Sequence, residues 1–207
     1  VKACPLIIIA SGLVFCYRSN IWNIGAEGQL VFGAIFSGWV ALNFLDSNSV
    51  FLLPAMMIAS ILGGLLWALI PAILKVRFNT NEILVSLMLT YVASLFIDYL
   101  VRGPWRDPMS FGFPLTPTYS DAALIDRVYF PFVGYIGQLH YGVFIALVTS
   151  IILWFVLMKM FPGFKIRVTG ESPSAAVFAG FNPSYVTIMV MCISGGAAGL
   201  AGMIEVS

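Results

Sequence analysis

The side chains best equipped for chemistry in this sequence sit where a membrane would penalise them. The run Trp22-Asn-Ile-Gly-Ala-Glu-Gly-Gln-Leu30 puts Asn23, Glu27 and Gln29, with two glycines, at the entry to a long apolar stretch. A second run, Phe78-Asn-Thr-Asn-Glu-Ile-Leu-Val-Ser-Leu-Met-Leu-Thr-Tyr91, carries Asn81, Glu82, Ser86 and Thr90 into another. The chemistry open to these groups is hydrogen bonding: holding a polar solute, shaping a gate or joining helices. A charge at mid-bilayer costs about 2.5 to 3.5 kcal/mol on insertion scales, so such groups must face protein or water. Two readings of Asn23, Glu27 and Gln29 stand side by side. One is a broken helix entry lining a pathway or gate. The other is an interfacial helix start with Glu27 in its first turn, favoured by the helix dipole. Asn79 followed three residues later by Glu82 matches a capping pattern, which is enough to explain Glu82. Ser86 and Thr90, spaced i, i+4, share one face that suits hydrogen bonding to a neighbouring helix or to a solute, with helix packing the commoner use.

The other ionisable groups point away from catalysis. Asp98 precedes Arg102 by four residues, which suits a helical ion pair at the outer boundary better than a proton relay. Glu205 lies near the end of the last apolar run, and His140, the single histidine, has no second ligand or nucleophile at useful spacing. Cys4, Cys16 and Cys192 fall inside apolar runs without metal-ligand spacing, so neither a zinc site nor a disulfide framework is expected. No HExxH, paired aspartates or GxxxxGK[ST] is present, so any ATP and Mg must bind on another subunit and this chain is expected to need no cofactor of its own. In Ser194-Gly-Gly-Ala-Ala-Gly-Leu-Ala-Gly202, Gly195, Gly199 and Gly202 form a small-residue face for close helix packing.

These residues need a scaffold of membrane helices. Of 207 residues, 60% are hydrophobic and 9% charged, with a mean hydropathy of +0.99, outside the range of soluble domains. The net charge of +1, without a Lys/Arg cluster, argues against nucleic acid. Uncharged runs approach the length that crosses about 30 Å of hydrocarbon as a helix, and they are continuous, not alternating as in a barrel. An all-α bundle follows, with six spans near residues 4–17, 24–45, 50–76, 82–101, 141–161 and 184–206. The Lys/Arg bias puts Arg18, Lys75, Arg77, Lys159, Lys165 and Arg167 in the cytoplasm, and the short outer turn carries Asp46 and no base. The long connection, residues 102–140, is rich in Pro, Gly and aromatics, as in Phe111-Gly-Phe-Pro114 and Tyr129-Phe-Pro-Phe132. It is expected to be ordered, folding over the outer mouth or lying in the interface.

The remaining signal is Arg167-Val-Thr-Gly-Glu-Ser-Pro-Ser-Ala-Ala-Val-Phe-Ala-Gly-Phe-Asn182-Pro183, within a cytoplasmic loop of residues 162–183. Ser172 is a good N-cap, Pro173 fits a first helical turn, and Gly180 suits a left-handed stop, so the spacing predicts a short helix from about Pro173 to Ala179. It would show Val177 and Phe178 to water, as a helix that docks on a partner does, although a loop helix lying on the bilayer has the same pattern. Asn182 and Pro183 repeat the start signal for the last span.

Four of these segments, in this order, resemble the inner-membrane permease subunits of ATP-binding cassette (ABC) importers, in the branch for nucleosides and simple sugars. Residues 23–30 look like that branch's NIGAEGQ signature, residues 81–91 like its NE-x4-LML-x-Y stretch, and residues 194–205 like its small-residue helix. Residues 167–182 are similar to its R-x2-G-x-N-x2-AA-x2-AG loop, which docks on the ATPase. The match places that docking on Gly170, Ser172, Pro173, Ala175, Ala176, Val177, Phe178, Ala179 and Gly180. Ser172 stands where the family often has Asn, and Thr90 where Asn is frequent. The resemblance implies alternating access in a prokaryotic inner membrane, with a second permease subunit, a cytoplasmic ATPase and an extracytoplasmic solute-binding lipoprotein. Branched-chain amino acid permeases and ion-coupled secondary transporters are the alternatives. The start at Val1 and the stop at Ser207 suggest one permease domain, residues 1–207, cut from a longer chain. The charge bias predicts that, with native cysteines removed, an impermeant maleimide labels Ser174→Cys from the cytoplasm and Thr118→Cys from outside. The reverse pattern would invert the topology.

Overall fold

The apolar runs become helices because each is long enough to satisfy its backbone internally, as lipid demands. In the computed structural model, which describes residues 2–45, 49–111, 113–130 and 134–207, the chain forms α1 (Ala3–Arg18), α2 (Ala26–Asn43), α3 (Leu52–Phe78), α4 (Glu82–Arg102), α5 (Gly142–Lys159), α6 (Phe161–Glu171), α7 (Pro173–Phe178) and α8 (Pro183–Val206). Asp46, Gly112 and the Pro131-Phe132 pair lie outside the described residues. The protein is an all-α membrane bundle. By length and composition α3, α4, α5 and α8 can each cross a membrane, whereas α1 has 16 residues and α2 opens on Glu27, Gly28 and Gln29. At about 1.5 Å per residue α3 is about 40 Å long, which carries Lys75 and Arg77 past the hydrocarbon. Arg18 and Lys159 likewise fall in last turns, where the helix dipole favours a cation.

The bundle is built around α8, which packs against α1, α2 and α3 and is buried continuously from Ser194 to Ile204. Small residues make this possible. A methyl on Gly64 of α3 would lie 2.7 Å from the Gly199 Cα, and one on Gly202 would lie 2.8 Å from the Ala34 nitrogen of α2. Three backbones therefore approach with no side chain between them, which is how helices associate in lipid, where burying apolar surface gives little drive. Around this seam, one core cluster joins Ile8, Val40, Met56, Ala146 and Met203, and a second joins Phe15, Ile21, Leu157, Ile166, Val186 and Met191. α4 flanks α2 and α3, and α5 flanks α1, both leaving broad apolar faces exposed.

The described residues of the long connection hold a feature that the sequence does not signal. A 3₁₀ turn at Asp121–Ala123 precedes an antiparallel ribbon, β1 (Arg127–Phe130) with β2 (Gly134–His140), irregular between Arg127 and Tyr129. Ala123 is fully buried in the first core cluster, beside the ends of α1, α2, α3, α5 and α8 opposite Arg18, so the connection covers that end. His140 Nδ1 accepts the Gly142 N–H at 3.0 Å, and burial lowers its pKa, favouring the neutral ring that can accept.

Two caps are assigned differently from the sequence reading. Asn79 adopts a left-handed φ of 50° and closes α3, while Asn81 starts α4, its Oδ1 accepting the Ile83 N–H at 3.0 Å. Asparagine tolerates the left-handed region, so one residue of this type ends a helix and its near neighbour begins the next. Arg102 and Asp98 do form the expected exposed pair, at 2.7 Å. Because the seam has no room for a side chain, Gly199→Leu is expected to cost about 3 kcal/mol or more. The check is loss of a monodisperse, heat-resistant species in detergent.

Candidate functional site

Residues 19–25 join α1 to α2 without helix, as in the reading of a broken entry, while Glu27 lies exposed in the first turn of α2, as in the reading of a helix start. Asn20 has a φ of 62°, α2 begins only at Ala26, and Ile21, Asn23 and Gly25 are buried. Non-helical backbone inside a bundle needs partners, and the Asn23 side chain supplies one of them while tying the segment to its neighbours. Its Oδ1 accepts the Gly25 N–H at 3.1 Å and the Gln29 Nε2 at 3.1 Å. Its Nδ2 donates to Gln29 Oε1 and to Ser194 Oγ, each at 3.0 Å. All four hydrogen-bonding positions of this amide are filled. Asn23, Gln29 and Ser194 are each 1% exposed, so the clasp joins the linker to α2 and α8 inside protein.

The buried face of α4 is polar. Glu82, Ser86, Thr90 and Ala93 lie along it, and it meets the end of the linker and the start of α2 where each has glycine. A methyl on Gly25 would lie 2.8 Å from the Ser86 Cβ, and one on Gly28 would lie 2.9 Å from the Thr90 Cα. The two hydroxyls bond within α4, Ser86 donating to the Ile83 carbonyl and Thr90 to the Ser86 carbonyl, both at 3.2 Å. Glu82 bonds Lys75 of α3 at 2.9 Å, and the Trp22 backbone amide faces the same carboxylate. Glu27 and Asn81 face outward. The residues proposed for a pathway thus divide: Asn23, Gln29, Glu82, Ser86 and Thr90 are turned into the bundle, and Glu27 and Asn81 away from it. Farther along the same helices a groove of ≈ 570 Å³ is lined by Phe36, Trp39, Phe96 and Trp105 among others. Beside Gly28, Trp67 stacks on Phe32 with ring centroids 3.6 Å apart.

The second part of the site is an arm formed by α6 and α7. Ser172 caps α7, its Oγ accepting the Ala175 N–H at 3.3 Å, and Pro173 takes the first turn. The helix stops at Phe178, one residue short of the expectation, and Gly180 follows with a left-handed φ of 77°. Ala176 is buried, whereas Val177 is 59% and Phe178 94% exposed. Phe181 folds back edge-on to Phe161 and Phe164 of α6, and the Lys165 ammonium lies 4.7 Å from the Phe161 ring. Ile166 anchors α6 in the second core cluster.

Three contributors escaped the sequence reading. Residues 162–171 read as loop in the sequence, although Pro162 near the start of α6 and the apolar Phe164 and Ile166 are signals of a helix. The sequence marks Ser194 only as a small packing residue and Lys75 only as a topological charge; nothing local reveals a partner 171 residues away. Replacing Gln29 with Leu leaves the Asn23 amide short of two bonds in a dry site. A loss of about 1 to 3 kcal/mol is expected, read as a lower melting temperature at unchanged helix content.

The whole chain, residues 1–207, matches the family described as branched-chain amino acid transport system / permease component. It is 34% identical over 216 residues to the glucose ABC transporter permease protein TsgB13 of Haloferax volcanii, covering 100% of this chain and 55% of that protein. It is 32% identical over 201 residues to the guanosine ABC transporter permease protein NupP of Bacillus subtilis, covering 97% and 56%. Identity to the nucleoside ABC transporter permease protein NupB of Lactococcus lactis is 27% over 202 residues, covering 97% and 56%. No solved structure matches. The chain spans about half the length of the curated relatives it matches. With the match running from end to end, and the linker, glycine seam and capped arm in place, this multi-pass membrane chain belongs to the branched-chain amino acid transport system permease family.

Proposed function

We propose that this chain is the membrane-spanning part of an ABC importer that moves nucleosides or simple sugars by alternating access in the plasma membrane of a prokaryote. The observation that carries the reading is the arm: a helix capped at both ends and braced by Phe181 holds Phe178 out in water. Presenting a large aromatic there costs solubility unless a partner covers it, and aromatic anchors dominate binding at protein interfaces. The partner is a cytoplasmic ATPase holding ATP and Mg. A second permease subunit and an extracytoplasmic solute-binding lipoprotein complete the assembly. Names of relatives that include glucose, guanosine and nucleoside permeases support the solute class.

In this mechanism closure of the ATPases pulls on α7, and rigid rearrangement of the spans turns the pathway from one face to the other. Asn23, Glu27, Gln29, Asn81, Glu82, Ser86 and Thr90 lie at or just inside the arm's end of the bundle, where they act as gate and scaffold. Exposed Glu27 is the member best placed to meet solute. Pull-down from membranes holding the full-length protein tests the reading. Native protein is expected to recover an ATP-hydrolysing subunit. Phe178→Asp is expected to weaken that contact by about 2 kcal/mol or more, roughly thirtyfold, with folding intact. Absence of any ATPase from the native sample would overturn the assignment.

A further inference from the structure

Between the arm and the core of the bundle lies the α1–α2 linker, which touches both. At Gly170 of α6 an added Cβ would fall against the Arg18 carbonyl oxygen and 3.0 Å from the Ser19 Cα, so α6 rests on this turn backbone to backbone. Ile166 of α6 and Ile21 of the linker lie in one core cluster with Phe15. The turn is held in shape by Ser19, whose Oγ donates to the Cys16 carbonyl at 2.8 Å. Four residues on, Asn23 clasps Gln29 of α2 and Ser194 of α8, and Trp22 faces the carboxylate that binds α3 through Lys75. One non-helical segment thus contacts the arm on one side and α2, α3, α4 and α8 on the other.

We infer that this linker is the relay by which motion of the arm reaches the transport core, with Asn23 as the positioning residue that delivers it to α2 and α8. The inference rests on the ATPase-coupled reading above. Close-packed interiors pass displacement on and do not absorb it, and a backbone contact without intervening side chains leaves no slack. Hydrogen bonds give the junction discrete geometry, so the linker carries α2 and α8 with it when α6 tilts. A linker held by apolar contacts alone would be free to slip between neighbouring positions. The amide serves here as a coupler. It needs no contact with solute, in keeping with its burial.

The test uses the full-length permease assembled with its ATPase in proteoliposomes, measuring solute moved and ATP hydrolysed in the same vesicles. Asn23→Ala is expected to lower solute moved per ATP at least about fivefold, within the range typical of coupling between sites, while ATPase recovery stays native. Ser194→Ala, a smaller change that leaves the Asn23–Gln29 pair in place, is expected to lower the ratio in the same direction. It keeps the test open if Asn23→Ala fails to fold. Melting temperature is followed in parallel, since a merely structural role would lower it and the amount of active protein without changing the ratio. An unchanged ratio in folded Ser194→Ala and Asn23→Ala proteins would overturn the relay and leave the importer reading standing. A native sample that neither recovers nor responds to an ATPase would instead overturn the importer reading itself.

Discussion

Everything in this bundle depends on one constraint: three helix backbones meet with no side chains between them. Lipid offers helices no hydrophobic reason to associate, so contact must come from dispersion over close surfaces and from hydrogen bonds. Gly64, Gly199 and Gly202 provide that closeness. It puts α8 at the centre and makes every residue from Ser194 to Ile204 a buried one. The positions of α1, α2 and α3 follow, because each must fit a helix with almost no side-chain volume to adjust.

The same closeness governs the polar groups. A Ser194 hydroxyl on the central helix is within reach of Asn23 only because α8 sits deep against the start of α2. Asn23 then uses both donors and both acceptor positions, so its side chain is fully satisfied inside the bundle and ties the unwound stretch to α2 and α8. The α4 stripe solves a related problem differently. Ser86 and Thr90 return their hydroxyls to their own helix, which leaves a thin, self-satisfied surface against Gly25 and Gly28. Polarity in these spans is therefore first a means of bringing backbones together, and Glu27, in the first turn of α2, is left exposed.

The arm is organised by the opposite economy. Its caps are local, Ser172 at one end and Gly180 at the other, so α7 holds its shape without being buried. Its bracing is aromatic, through Phe161, Phe164 and Phe181, and its base is fixed by Ile166 and the Gly170 contact.

The sequence by itself determined the elements. Uninterrupted apolar length made the spans, Lys and Arg marked one end of them, and Ser172, Pro173 and Gly180 set the short helix to within one residue, because these signals act over a few neighbouring positions. The family was legible for the same reason, in four local motifs. Where a reading needed the choice between equivalent neighbours it slipped: Asn81, not Asn79, caps α4, and the ribbon at β1 and β2 was hidden among prolines and aromatics. Only the tertiary structure decided who meets whom. That Asn23 reaches Ser194, that Lys75 finds Glu82 and that Gly170 rests on Arg18 and Ser19 are consequences of helix placement. Placement is set by the summed packing of glycines far apart in the chain, a quantity that no local window of sequence contains.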